Sequence, residues 1–142
     1  MKTQDPVHSY KEIQIKTATP GKLVVMLHEG AIKFLNLAIE WMQKKHTGYE
    51  KTNNYIIKVQ DIITELMVSL DFEKGGPISK NLFSLYLYMN RRLIEANIQK
   101  DIGVLEDVKK ILNELRGAWV EVTHKTQSEP LQVQSGNINI AG

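Results

Sequence analysis

Apolar residues recur along most of the chain at spacings of three and four, the period of an amphipathic helix, and turn signals divide the pattern into four blocks. The first block opens at Thr19-Pro20-Gly21. Thr19 suits an N-cap, because its hydroxyl can accept an orphan amide of the first turn, and Pro20 suits the first helical position, where no amide hydrogen is needed. The block predicts a helix to about Lys45. Its polar residues Lys22, Glu29, Lys33, Asn36, Glu40 and Gln43 fall on one narrow stripe, and nearly everything else is apolar, from Leu23 to Met42. So wide an apolar arc implies contacts on several sides.

Thr47-Gly48 breaks the chain, and a second helix is expected from about Tyr49 to Leu70, with Ile56, Val59, Ile63, Leu66 and Leu70 as its core face. Asp71 to Pro77 reads as a turn, stopped by Gly75-Gly76-Pro77. The third helix is expected over 78–99, with Ile78, Leu82, Leu85, Met89, Leu93 and Ala96 inward. The fourth starts near Asp101, a candidate N-cap, and ends near His124. Leu105, Val108, Leu112, Leu115, Trp119 and Val122 form its core face, widened by Ile111 and Ala118. The prediction is an all-α fold: an antiparallel up-down four-helix bundle over 19–124, with short links making sequential helices neighbours. An N-terminal arm over 1–18 carries Tyr10, Ile13 and Ile15 on an amphipathic piece. The tail over 125–142 is rich in Gln, Ser, Asn and Gly and holds too little apolar surface to offset the entropy of ordering, so it is expected to be disordered.

The core does not use every apolar residue. At about 100° per residue, Phe83, Leu87 and Ile94 project away from the core set of the third helix, and Ile57 and Val68 do so on the second. If the two helices are adjacent, these residues line an exposed apolar groove of the kind that accepts an amphipathic helix. Asn90 and Asn97 flank the third-helix stripe and are candidates to bond a partner's backbone. A homodimer interface would use the same kind of patch, and so would a generic helical adaptor. Tyr10 and Ile13 are candidates for a cover that folds over the groove and is displaced by the partner.

Composition removes several function classes. The chain has 142 residues, 42% hydrophobic and 24% charged, in the range of one globular domain. A net charge of +2, from 18 basic and 16 acidic residues that alternate along the chain, argues against a nucleic-acid partner. There are no cysteines, which removes disulfides and thiolate chemistry. The polar N-terminus lacks an apolar signal region and no apolar run approaches the roughly 18 residues of a membrane helix, so a cytoplasmic protein without direct membrane insertion is expected. His8, His28, His46 and His124 are scattered and are expected at surface or boundary positions. No Glu-x-x-His pair, phosphate loop or nucleophile motif occurs, so the expectation is no enzyme, no metal and no cofactor.

The run from Thr17 to Ala31, TATPGKLVVMLHEGA, resembles the FliS-family pattern T-A-S/T-P-x-x-L-I/V-x-M-L-Y/F-D/E-G-A, with Tyr10 at the expected upstream tyrosine. Leu70-Asp71, Gly75-Gly76, Asn81-Leu82, Leu85-Tyr86, Tyr88-Met89, Ala96-Asn97, Leu115-Arg116 and Ala118-Trp119 follow in family order. His28 departs from the pattern, standing where the family generally has an aromatic. The resemblance, over roughly residues 10 to 121, implies a flagellar export chaperone. Such a protein binds the helix-forming C-terminal segment of flagellin, prevents premature polymerisation and passes its cargo to the export gate protein at the membrane. It also implies that the N-terminal segment covers part of the site in the free protein.

Overall fold

The computed structural model describes residues 20–128 and contains, among them, helices α1 (Pro20–Met42), α2 (Tyr49–Val68), α3 (Phe72–Gln99) and α4 (Ile102–Ser128), with a 3₁₀ turn at Lys45–Gly48. Thr19, the arm with Tyr10 and Ile13, and the tail beyond Ser128 lie outside the described residues. Each helix packs on its neighbours in sequence and α1 closes against α4, which makes a ring of four around one core. The short links force successive helices antiparallel, so this is the up-down bundle that the periodicity predicts. Leu35, Ile56, Ile63, Leu66, Met89, Leu93, Leu105 and Leu112 are fully buried at its centre, each contributing about 1.5–3 kcal/mol by removal from water. The polar stripe expected on α1 is exposed throughout.

The first break is steric. A Cβ on Gly48 would lie 2.0 Å from the carbonyl oxygen of Trp41, so only glycine lets the chain pass the end of α1. Lys45, at φ 58°, makes the reversal, and the buried Thr52 hydroxyl donates to the Gly48 carbonyl at 2.9 Å to start α2.

The second break corrects the expectation of a plain turn over 71–77. Helix α3 already begins at Phe72, because the Asp71 carboxylate accepts from the Lys74 amide at 3.0 Å. The path departs from helical geometry only at Gly76 (φ 53°, ψ −130°), and Pro77 resumes it. The Ser79 hydroxyl donates to the Asp71 carbonyl at 3.0 Å and ties the two sides of the kink together. Ser79 is therefore the buried residue here, and Ile78, expected inward, is exposed. Nothing lies within 4 Å of a Cβ built on Gly76, so its requirement is conformational alone. Gly76→Ala is expected to cost about 1–3 kcal/mol in urea denaturation with the fold unchanged; an unaltered midpoint would refute this.

At the last link, the Asp101 carboxylate accepts from the Val104 amide at 3.4 Å, the expected cap. Helix α4 continues to Ser128, beyond the expected end near His124, and Ala118 faces water rather than the core.

His28 is the largest departure from expectation. It is not a surface or boundary residue but has no exposed surface at all. Both ring nitrogens find partners, which is what makes its burial tolerable. Nδ1 donates to the Val24 carbonyl at 2.8 Å, so Nε2 accepts from the Tyr86 hydroxyl at 3.0 Å. This polar pair joins α1 to α3 inside the core. Burial pushes the His28 imidazole below its ordinary value, partly offset by the Val24 hydrogen bond, and pushes the Tyr86 phenol up to about 12.

The candidate groove between the second and third helices

Side-chain bonds fix α2 and α3 as neighbours. The Asn90 amide on α3 donates to the Thr64 hydroxyl on α2 at 3.3 Å, and the Asn97 amide donates to Asn53. The flanks carrying these bonds also carry the apolar surplus. On α2, Ile57 is 44% and Val68 75% exposed; on α3, Ile94 is 51% exposed, while Phe83 and Leu87 are half-buried. All five residues keep apolar surface open to water, and by helical phase they share the flanks of α2 and α3 that carry the two side-chain bonds.

Two further exposed apolar residues of α3 escaped the sequence reading. Phe72 packs edge-to-face on Phe83 with ring centroids 5.7 Å apart, and it is exposed on its outer side. It was missed because 71–77 reads as a turn. Ile98 is 77% exposed and follows Leu87 and Ile94 at helical spacing, a signal already present in the sequence.

The two asparagines are not equivalent. Asn97 spends both ends of its amide within the chain, donating to Asn53 and accepting from the Lys100 ammonium at 2.6 Å. Asn90 leaves its Oδ1 shielded from water with no hydrogen-bond partner. Tyr10 and Ile13 lie outside the described residues.

The opposite flank of α2 is closed. Tyr55 stacks on Phe34 of α1 at 6.0 Å, Lys58 lies over the Phe34 ring, and Lys44 and Lys51 each lie 5.2 Å from the Trp41 ring centre. Rings and lysine stems fill that seam, whereas the seam toward α3 has aliphatic side chains standing free.

Among the described residues no group of three acidic, histidine or cysteine side chains is placed to hold a metal ion, and no helix is long and apolar enough to cross a membrane. The fold is that of a four-helix bundle, and the α2–α3 seam, with Ile57, Val68 and Ile94 exposed, is its candidate groove. The family model "Flagellar protein FliS" matches residues 3–126, and the chain belongs to that family. It is similar to the flagellar secretion chaperone FliS of Bacillus subtilis, 34% identical over 129 residues that cover 91% of this chain and 94% of the relative. It is likewise similar to FliS of Salmonella typhimurium, 32% identical over 130 residues covering 88% and 95%. The flagellar secretion chaperone FliSB of Pseudomonas aeruginosa is 34% identical over 113 residues, covering 80% and 88%. The family is one of flagellar secretion chaperones and not of enzymes.

Proposed function

We propose that this chaperone binds the C-terminal segment of flagellin in the α2–α3 groove, in the cytoplasm, and keeps it from polymerising before export. The carrying observation is the row of exposed aliphatic residues, Ile57, Val68 and Ile94, on facing flanks of two adjacent helices in a member of the FliS family. A segment that folds only on assembly exposes an apolar stripe beforehand. The groove offers that stripe a substitute surface, so the segment orders on binding and the complex stays reversible. The loaded complex then meets the export gate protein. Tyr10 and Ile13 serve as a displaceable cover.

Calorimetric titration with the C-terminal flagellin segment of the same organism tests this. Saturable one-to-one binding with a negative heat-capacity change is expected, and deleting residues 2–16 is expected to tighten it. No binding by a well-folded bundle would instead favour an adaptor or a homodimer using the same seam.

A further inference from the structure

The groove is not uniformly apolar, and its polar positions are regularly placed. Along α3 its flank reads Phe83, Leu87, Asn90, Ile94, Asn97; along α2 it reads Asn53, Ile57, Thr64, Val68. The antiparallel helices set these as rungs. Asn97 meets Asn53 and Asn90 meets Thr64, joined by hydrogen bonds. Ile94 and Ile57 stand between the two polar rungs, and Leu87, Phe83 and Val68 stand beyond the second. Ile94 and Leu87 are two helical turns apart, about 10.5 Å along the axis.

The two polar rungs differ in what they leave unmet. The Asn97 amide is used at both ends. The Asn90 amide is used at one, with Oδ1 out of reach of water and without a partner. Turning the amide over does not remove the problem, since the single Thr64 hydroxyl then serves the other end. Asn90 is only part-buried as a residue, so a turn about its side-chain torsions brings the unmet oxygen to the groove surface, where a partner group can satisfy it. The rims also differ in sign. Asp61 lies on the outer edge of α2 and Arg91 on the outer edge of α3; both are exposed, and neither is in an ion pair among the described residues.

We propose that the groove selects its helix by a polar residue set between two apolar anchors. The anchors pack on the Ile57–Ile94 rung and on Val68, Leu87 and Phe83. A hydroxyl or carboxamide side chain between them bonds Asn90. A cationic residue faces Asp61 and an anionic one faces Arg91, which fixes the direction of the bound helix. This rests on the flagellin-segment reading of the groove and names the feature that sets the segment's register.

The test is titration of wild-type chain, Asn90→Leu and Asn90→Ala with the flagellin segment and with segments in which each Ser, Thr, Asn or Gln is changed singly to Leu. Circular dichroism and thermal melting confirm that each variant is folded. Both variants are expected to bind the unaltered segment about tenfold more weakly. One polar-to-Leu segment should bind weakly to wild type and regain affinity with Asn90→Leu. Asp61→Lys and Arg91→Glu should each weaken binding by a smaller factor that fades with added salt. If both Asn90 variants bind the unaltered segment as tightly as wild type, the inference is overturned and the flagellin reading stands. If wild type does not bind the segment at all, both are overturned.

Discussion

Ile94→Asp and Ile57→Asp are each expected to weaken binding of the flagellin segment by about a hundredfold while leaving the bundle folded. Both side chains are about half exposed in the free protein, so an aspartate there stays hydrated and costs the fold little. On binding, the same carboxylate must lose its water against an apolar anchor with nothing to compensate it. Leu87→Asp and Phe83→Asp should also abolish binding, but both residues are half-buried, and Phe83 carries the ring contact to Phe72, so those variants put the fold at risk as well. Val120→Asp is the control: Val120 is an exposed aliphatic residue on α4, off the groove, and its change should leave affinity unaltered. Calorimetry with the two isoleucine variants and Val120→Asp tests where the site lies. Wild-type affinity for both isoleucine variants would move it elsewhere on the bundle.

His28→Phe is expected to lower stability at pH 7.5 by about 1–3 kcal/mol and to flatten the dependence of stability on pH on the acid side. The first effect follows from the Tyr86 hydroxyl losing its acceptor inside the core. The second follows from linkage. The imidazole's folded-state pKa lies below its ordinary value of 6.5, because burial disfavours the charged ring. At pH values between that depressed value and 6.5 the unfolded chain binds more protons than the folded one. The wild-type contribution is therefore complete above 6.5 and is lost as pH falls through 6.5 toward the folded value. Protonation would also force Nε2 to donate, leaving the Tyr86 hydroxyl hydrogen without its acceptor. Urea denaturation of wild type and His28→Phe at pH 5 and pH 7.5 measures both effects. The gap between them should narrow at pH 5; parallel profiles would mean that His28 does not titrate with folding.

The sequence alone settles much of the frame. Period and turn chemistry are local properties, and they survive folding here because each helix is long enough to show them. That is why the four helices, the Gly48 break, the Asp101 cap and the exposed polar stripe of α1 are legible from residue order. The apolar surplus of α2 and α3 is legible for the same reason, since a helix fixes the angle between its own side chains whatever it packs against.

What the sequence does not contain is the pairing of faces between helices. His28 reads as an isolated polar residue on an apolar helix. Its burial depends on Tyr86, 58 positions away, presenting a hydroxyl at 3.0 Å. The spare acceptor of Asn90 and the spent amide of Asn97 are identical in sequence terms and are separated only by which residues stand opposite them, Thr64 in one case and Asn53 with Lys100 in the other. Phe72 becomes a candidate groove residue because Gly76 turns an apparent loop into a kinked helix start that lays one ring on another. In this protein the order of residues determined the helices and the direction of each face. Packing alone decided which polar groups were satisfied and which apolar edges remained open, because both depend on partners that the chain brings together only when it folds.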